Sequence, residues 1–211
     1  MLEDTQQYLY VGGEAVEIKK VKNFEALITD PADPDKVPCW AEVWPASLGM
    51  GEHLASREDL EGATVLELGA GLGLPGVVAG MKGAKVTFSD FNELSLEYCR
   101  KNAEANGLKE FNILLGDWRN FPQDLAFDLV LGSDIVYEPR LLPYLERVLS
   151  RFSREGSTIL LSHAYRSVTF SFAEEICRKE ELTNEVDYLR VEMEDSLLTY
   201  YRIAVHELRA K

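Results

Sequence analysis

The chain has 211 residues, 46% of them hydrophobic and 27% charged, a globular balance that fills one core and leaves too little for two ordinary domains. Its formal net charge of −14 opposes extended contact with nucleic acid phosphates, and no apolar run approaches the ~20 residues of a membrane span. The opening residues lack the basic-then-apolar pattern of a secretory signal, and Cys39, Cys99 and Cys177 are odd in number and without C-x-x-C pairing, so a cytoplasmic protein with reduced thiols is expected.

Residues 8–11 and 15–21 flank Gly12-Gly13, a two-residue turn that predicts a hairpin. Pro31, Pro34 and Pro38 mark residues 31–38 as a loop. A helix is predicted over 46–57, with Leu48 and Leu54 on its inward side. Strands at 64–68, 85–89, 111–115, 127–132 and 158–162 then alternate with helices at 74–82, 94–106, 141–152 and 169–179. Gly107 supplies a C-cap for the second of these helices. Such alternation predicts a parallel sheet with right-handed crossovers and helices on both faces. Ligands then sit outside the C-terminal strand ends, where the strand order reverses. Strands at 185–191 and 199–207 follow each other without a crossover helix, which makes them an antiparallel pair at the sheet edge.

Chemistry concentrates at those strand ends. Residues 65–76 read Val-Leu-Glu-Leu-Gly-Ala-Gly-Leu-Gly-Leu-Pro-Gly, a buried strand running into a glycine-rich turn and a helix. Gly69, Gly71 and Gly73 remove side chains that would hold a nucleotide-like ligand off the backbone. The helix behind them points its N-terminal amides at the same place. Glu67 lies inside the apolar run, where a carboxylate is costly without a partner. Residues 71–76 also satisfy the G-x-G-x-x-G pattern of dinucleotide binders, yet Glu67 would repel the pyrophosphate of such a ligand. S-adenosylmethionine, which carries an ammonium and a sulfonium, suits the acid better. Asp90 ends the second parallel strand 19 residues beyond Gly71, placed to accept both ribose hydroxyls, and Phe91 is placed to cover one adenine face. After the third strand, Asp117 can accept the adenine amine and Trp118 can stack. His53, His163 and His206 show no metal-ligand spacing and are read as core or surface histidines; no metal is expected.

Residues 67–73, Asp90, Asp117 and the strand at 127–132 together resemble the ordered motifs of a class I S-adenosylmethionine-dependent methyltransferase. Ser133-Asp134-Ile135-Val136-Tyr137 is similar to the Asp-x-x-Tyr motif of the seven-β-strand protein lysine methyltransferases, or methyltransferase family 16. The segment from Trp40 to Ser47 resembles the Trp-containing stretch before the first helix of that group, with Trp44-Pro45 where many members have Trp-Asp. The resemblance covers residues 38–166 and implies a Rossmann-like seven-stranded sheet, mostly parallel, as one methyltransferase domain over 1–211. Residues 1–45 would form a hairpin and loop extension and 46–211 the catalytic fold. It implies S-adenosyl-L-methionine as cofactor, held by Trp44, Glu67, Gly69, Gly71, Gly73, Asp90, Phe91, Asp117, Trp118 and Ser133. Asp134 and Tyr137 are the implied catalytic pair.

Methyl transfer needs a lone pair aimed in line at the leaving sulfur, so positioning supplies most of the catalysis. A lysine amine of reference pKa ~10.4 is only ~0.04% neutral at pH 7 and must be both deprotonated and aimed. Asp134 alone would raise that pKa, and is read as an orienting acceptor; its service as a general base stays open. Tyr137 supplies an aromatic wall and a hydroxyl, and Arg166, after the fifth parallel strand, borders the same cleft. Base-modifying enzymes commonly carry Asn/Asp-Pro-Pro-Tyr here, whereas this chain has Ile135-Val136 between Asp134 and Tyr137. With the negative charge, this disfavours a nucleic acid partner. The expected reaction is N-methylation of a protein lysine. A small-molecule N-methyltransferase, a dinucleotide-dependent oxidoreductase and a non-catalytic cofactor-binding module are the alternatives; the oligomeric state stays open.

Overall fold

The computed structural model describes residues 3–30, 37–154, 156–193 and 200–211. Strands β1 (Asp4–Val11) and β2 (Glu14–Val21) pair antiparallel through Gly12 and Gly13, both at the positive φ that a two-residue hairpin turn requires. The hairpin is tied to the body through helix α3 (Glu93–Ala105). Asn102 Oδ1 accepts from Lys19 N at 2.7 Å, and the Asn102 amide donates to Lys19 O and Leu72 O. Asn106 repeats the exchange with the backbone of Glu17. Two side-chain amides thus stand in for a neighbouring strand along β2.

Helix α1 (Pro45–Ala55) opens with proline at its first position, where the missing N–H costs nothing. It ends two residues short of the expected boundary because Arg57 leaves the helix to meet Asp59 and Glu207. Leu48 and Leu54 are buried, as their spacing predicts. Strand β3 (Thr64–Leu68), helix α2 (Leu74–Met81), β4 (Lys85–Asp90), α3 and β5 (Phe111–Leu115) follow in the expected alternation. They are succeeded by β6 (Leu129–Ser133), α4 (Leu142–Arg154), β7 (Thr158–His163) and α5 (Ser167–Glu180).

Seven strands form one sheet in the order β5-β4-β3-β6-β7-β9-β8, where β8 is Leu182–Val191 and β9 is Tyr201–Ala210. Strands β3 to β7 run parallel, and β9 inserts antiparallel between β7 and the edge strand β8. The order reverses between β3 and β6, which sets the ligand crevice there. Strand β8 begins three residues before its expected start. Glu181 adopts a left-handed φ of 55° at the end of α5, so the chain passes from helix to strand without a loop, and Leu182 is buried. Strand β9 runs on to Ala210; Thr199, its expected first residue, lies outside the described residues, as does most of the expected 31–38 loop.

Alternation along β3 separates two cores. Val65 joins Phe88, Tyr98 and Leu131 on one face, while Leu66 and Leu68 join Val130, Leu149 and Phe152 on the other. Leu145, Leu149 and Phe152 form the inward stripe of α4, all fully buried, each side chain contributing about 1.5–3 kcal/mol of hydrophobic burial. By the same alternation Glu67 points to the α2 face, into the first core.

Candidate active site

A cavity of about 620 Å³ opens at the C-terminal ends of β3, β4 and β6. All twelve side chains and glycines predicted for the site line it, although they come from segments spread between Trp44 and Tyr137. A broader groove of about 950 Å³ runs along α4, lined by Arg147, Arg151 and Arg154. Arg147 and Arg151 donate to the carbonyls of Arg119, Pro122 and Leu125, and Arg154 pairs with Glu180. That groove shares Trp118 and Arg119 with the cavity and otherwise holds loops in place.

The turn after β3 uses its glycines for backbone reasons first. Gly69, Gly71 and Gly73 all have left-handed φ, at 60°, 58° and 76°. A Cβ on Gly71 would lie 3.3 Å from the Trp40 carbonyl, and one on Gly69 2.9 Å from Ile135. Gly76, in the first turn of α2, lets the helix approach so closely that a Cβ would fall 2.6 Å from Glu67 Oε2. That approach gives the buried Glu67 a partner: Gly76 N donates to Oε2 at 3.0 Å. One backbone donor does not offset burial, which with the nearby Asp90 pushes the Glu67 carboxyl up to about 8.

Asp90 ends β4 with both oxygens engaged by backbone, Oδ2 accepting from Gly71 N and Oδ1 from Asn92 N, each at 3.0 Å. Burial still raises its pKa. The Ser95 hydroxyl and the Phe91 amide also favour its ionised form, and the acid clamps the glycine turn while lining the cavity. Phe91 is exposed beside it. Asp117 caps the short 3-10 turn Trp118–Asn120 and is forked by Arg119, which holds its carboxyl below the usual range. Trp44 closes the opposite wall, its indole N–H donating to Cys39 O at 2.7 Å.

Ser133 and Asp134 follow β6. Ser162 Oγ approaches Ser133 Oγ at 3.1 Å, and Asp134 N donates to Ser162 O. Asp134 has a φ of 55°, uncommon for a residue with a side chain, and this swings the carboxylate into the cleft. There Arg166 forks it, Nε to Oδ1 at 2.6 Å and Nη2 to Oδ2 at 3.0 Å. Tyr137 stands half-exposed at the rim.

Sequence reading missed what sets Arg166. Its backbone N–H donates to His163 Nδ1 at 2.7 Å, so that nitrogen carries no proton and the neutral ring is protonated at Nε2. His163 Nε2 lies 3.0 Å from His206 Nε2, which must accept, leaving His206 Nδ1–H to donate to Asn184 Oδ1 at 3.1 Å. The chain of bonds crosses β8, β9 and β7 to reach the residue that pairs with Asp134 after β6. Burial depresses both imidazoles to about 4, so the chain stays neutral at ordinary pH. His163 and His206 are 43 residues apart, and only the β7–β9 register brings them together.

The residues present fit S-adenosylmethionine. A buried acid with free lone pairs, a second acid beside a glycine turn, aromatic walls from Phe91 and Trp118, and a cavity of nucleoside scale meet the cationic and adenosyl parts of that molecule.

Comparison with known proteins agrees with this geometry. Residues 33–178 match the model of a family described as lysine methyltransferase. The chain is 36% identical over 104 residues to the mouse histone-arginine methyltransferase METTL23, covering 46% of this chain and 41% of that protein. It is 35% identical over 132 residues to the protein N-lysine methyltransferase METTL21A of Xenopus tropicalis, covering 60% and 61%. The chain thus spans about half the length of these curated relatives. Among solved structures, the 16S rRNA N2 G1207 methyltransferase RsmC of T. thermophilus, in complex with AdoMet and guanosine, superposes with a TM-score of 0.69 at 19% identity, over 100% of this chain and 51% of that one. At that identity the likeness is one of fold.

Proposed function

The chain belongs to the lysine methyltransferase family, a class I S-adenosylmethionine-dependent group, and from that premise we propose that it methylates a nitrogen of a protein, on a lysine side chain. When bound, S-adenosylmethionine supplies an electrophilic methyl group on sulfur. Glu67, Asp90, Asp117 and Ser133, with the turn Gly69, Gly71 and Gly73, form the holding surface in this reading, and Trp44, Phe91 and Trp118 its walls. Residues 1–211 are read as one methyltransferase domain, with 46–211 the catalytic fold and 1–45 an extension fastened to it by Asn102 and Asn106.

The observation that carries the acceptor assignment is the Asp134 carboxylate, turned into the cavity by a left-handed backbone and forked by Arg166. An isolated carboxylate would hold a lysine as its ammonium, which has no lone pair to give. The Arg166 guanidinium offsets that charge, so Asp134 can accept a hydrogen bond from the amine and aim it without fixing its proton. Tyr137 walls the same space. Desolvation in the cleft favours the neutral amine further.

An arginine acceptor is the second reading. Arg166 itself demonstrates that Asp134 accepts a planar guanidinium in a two-point fork, and one of the relatives is named for arginine methylation. Incubating the protein with methyl-labelled cofactor and host cell proteins, followed by acid hydrolysis and amino-acid analysis, tests both. Label in methyl-lysine supports the proposal, and label in methylarginine supports the second reading. Label confined to small molecules overturns both. No helix among the described residues is long and apolar enough to cross a membrane; a cytoplasmic location is part of the same reading, supported by the free thiols of Cys39, Cys99 and Cys177.

A further inference from the structure

Beyond the cavity, the acceptor end of the sheet carries a feature at odds with the rest of the molecule. Arg190 on β8 and Arg202 on β9 stand directly opposite each other in the ladder, on one face of the ribbon. Like charges in that position destabilise a strand pair. The chain carries 36 acidic residues against 22 lysines and arginines, so carboxylates to relieve the pair are abundant. Among the described residues, the one carboxylate paired with either is Glu192, at 4.0 Å from Arg190 and itself largely exposed. Both guanidiniums lie instead on tyrosine rings: Arg190 over Tyr200 at 3.8 Å, and Arg202 over Tyr165 at 4.6 Å with a 3.3 Å bond to its hydroxyl. Stacking preorganises the guanidiniums while leaving their outer N–H groups for a further partner.

The patch is continuous with the acceptor mouth. Tyr165 precedes Arg166, and its ring packs 5.8 Å from Tyr188, which is 57% exposed on the same face of β8. Exposed tyrosines and arginines of this kind are the residues enriched at protein interfaces and at their energetic centres. We propose that Tyr165, Tyr188, Arg190, Tyr200 and Arg202 form a docking surface for an acidic segment of the polypeptide that carries the methyl acceptor. This rests on the reading of a protein acceptor. Two opposed arginines match a short run of carboxylates, each able to take a two-point fork. A long nucleic acid would reach beyond so small a footprint onto the acidic remainder of a chain whose net charge is −14. The plain competitor is that Arg190, on the edge strand, only blocks sheet-to-sheet aggregation.

The test uses the full chain with S-adenosylhomocysteine bound and fluorescein-labelled peptides carrying one lysine. In one peptide glutamates flank the lysine; in the other, glutamines do. Fluorescence anisotropy should show preference for the glutamate peptide by about tenfold or more, weakening as salt rises. Arg190→Glu together with Arg202→Glu should abolish the preference while cofactor affinity, read by calorimetry, stays at the wild-type value. Arg190→Gln with Arg202→Gln should reduce it part-way, which separates loss of charge from misfolding. Equal binding of the two peptides, an unaltered preference in the charge-reversed protein, or tighter binding of a single-stranded oligouridine than of the glutamate peptide would overturn the docking surface. Each of those results leaves the methyl-transfer proposal standing. Label confined to small molecules in the hydrolysis experiment would remove that proposal without altering the peptide preference.

Discussion

Glu67→Gln converts the electrostatics of the site into a stability measurement. Glu67 is 2% exposed, and burial lifts its carboxyl from 4.5 to about 8 in the folded protein. The unfolded chain releases this proton near 4.5 while the folded chain keeps it, so the folded state binds more protons between those values. The stabilising contribution is therefore complete below 4.5 and drains away as pH rises through 8. At about 1.4 kcal/mol per pH unit, the loss reaches about 3 kcal/mol at pH 7 and about 5 kcal/mol by pH 9. Glutamine resembles the protonated acid, keeps an oxygen for Gly76 N, and does not titrate. Urea unfolding of both proteins without cofactor should give nearly equal stabilities at pH 5. The variant should then gain by about 3 kcal/mol at pH 7 and further above it. Taking the difference between the two proteins cancels the histidines, which both retain, and leaves the Glu67 titration together with its coupling to Asp90. Stability curves that run parallel from pH 5 to pH 9 would show that Glu67 is already ionised and partnered in the ligand-free protein.

Asp90→Ala should weaken S-adenosylmethionine binding by about 1.5–3 kcal/mol in calorimetry, the scale of hydrogen bonds to a charged group. Undiminished affinity would restrict Asp90 to its bonds with Gly71 and Asn92. Gly71→Val places a branched side chain at a φ of 58° and against the Trp40 carbonyl, and should abolish cofactor binding; retained binding would mean the turn relaxes. Asp134→Ala should leave cofactor affinity near wild type and slow methyl transfer, the signature of an interaction made with the acceptor, and full turnover would remove Asp134 from the chemistry. Nitrogen-15 spectra of labelled histidines should show His163 protonated at Nε2 and His206 at Nδ1, both neutral down to about 4. Unfolded imidazoles take up protons from about 6.5 downward, so this pair should make the protein less stable as pH falls from there toward 4. The opposite tautomers would break the chain of bonds inferred from Arg166.

Much of this protein was legible in one dimension because short-range rules write it there. The apolar run at 64–68, the glycine turn behind it and the helix periods that follow are local, and a parallel alternating sheet is the arrangement that buries them together. The topology then carries Glu67, Asp90, Asp117 and Asp134 to one end of the sheet, since each closes or ends a strand whose direction the alternation determines. Element ends were less legible: β8 starts early through a left-handed Glu181, a conformation that nothing in the residue type announces. What tertiary structure alone decided is the partner of each charge. Asp134 reads as an isolated acid in sequence, but Arg166, 32 residues later, neutralises it. The protonation of His163 follows from a single backbone N–H, and that of His206 from His163, which leaves its Nδ1–H for Asn184 on the edge strand. Arg190 and Arg202 face each other only because the β8–β9 ladder has one register and not its neighbour, and a slip by one residue would turn one of them to the other face. Spacing along the chain governs which elements form, whereas hydrogen bonds and ion pairs depend on distances of a few ångströms between elements, which register and packing set.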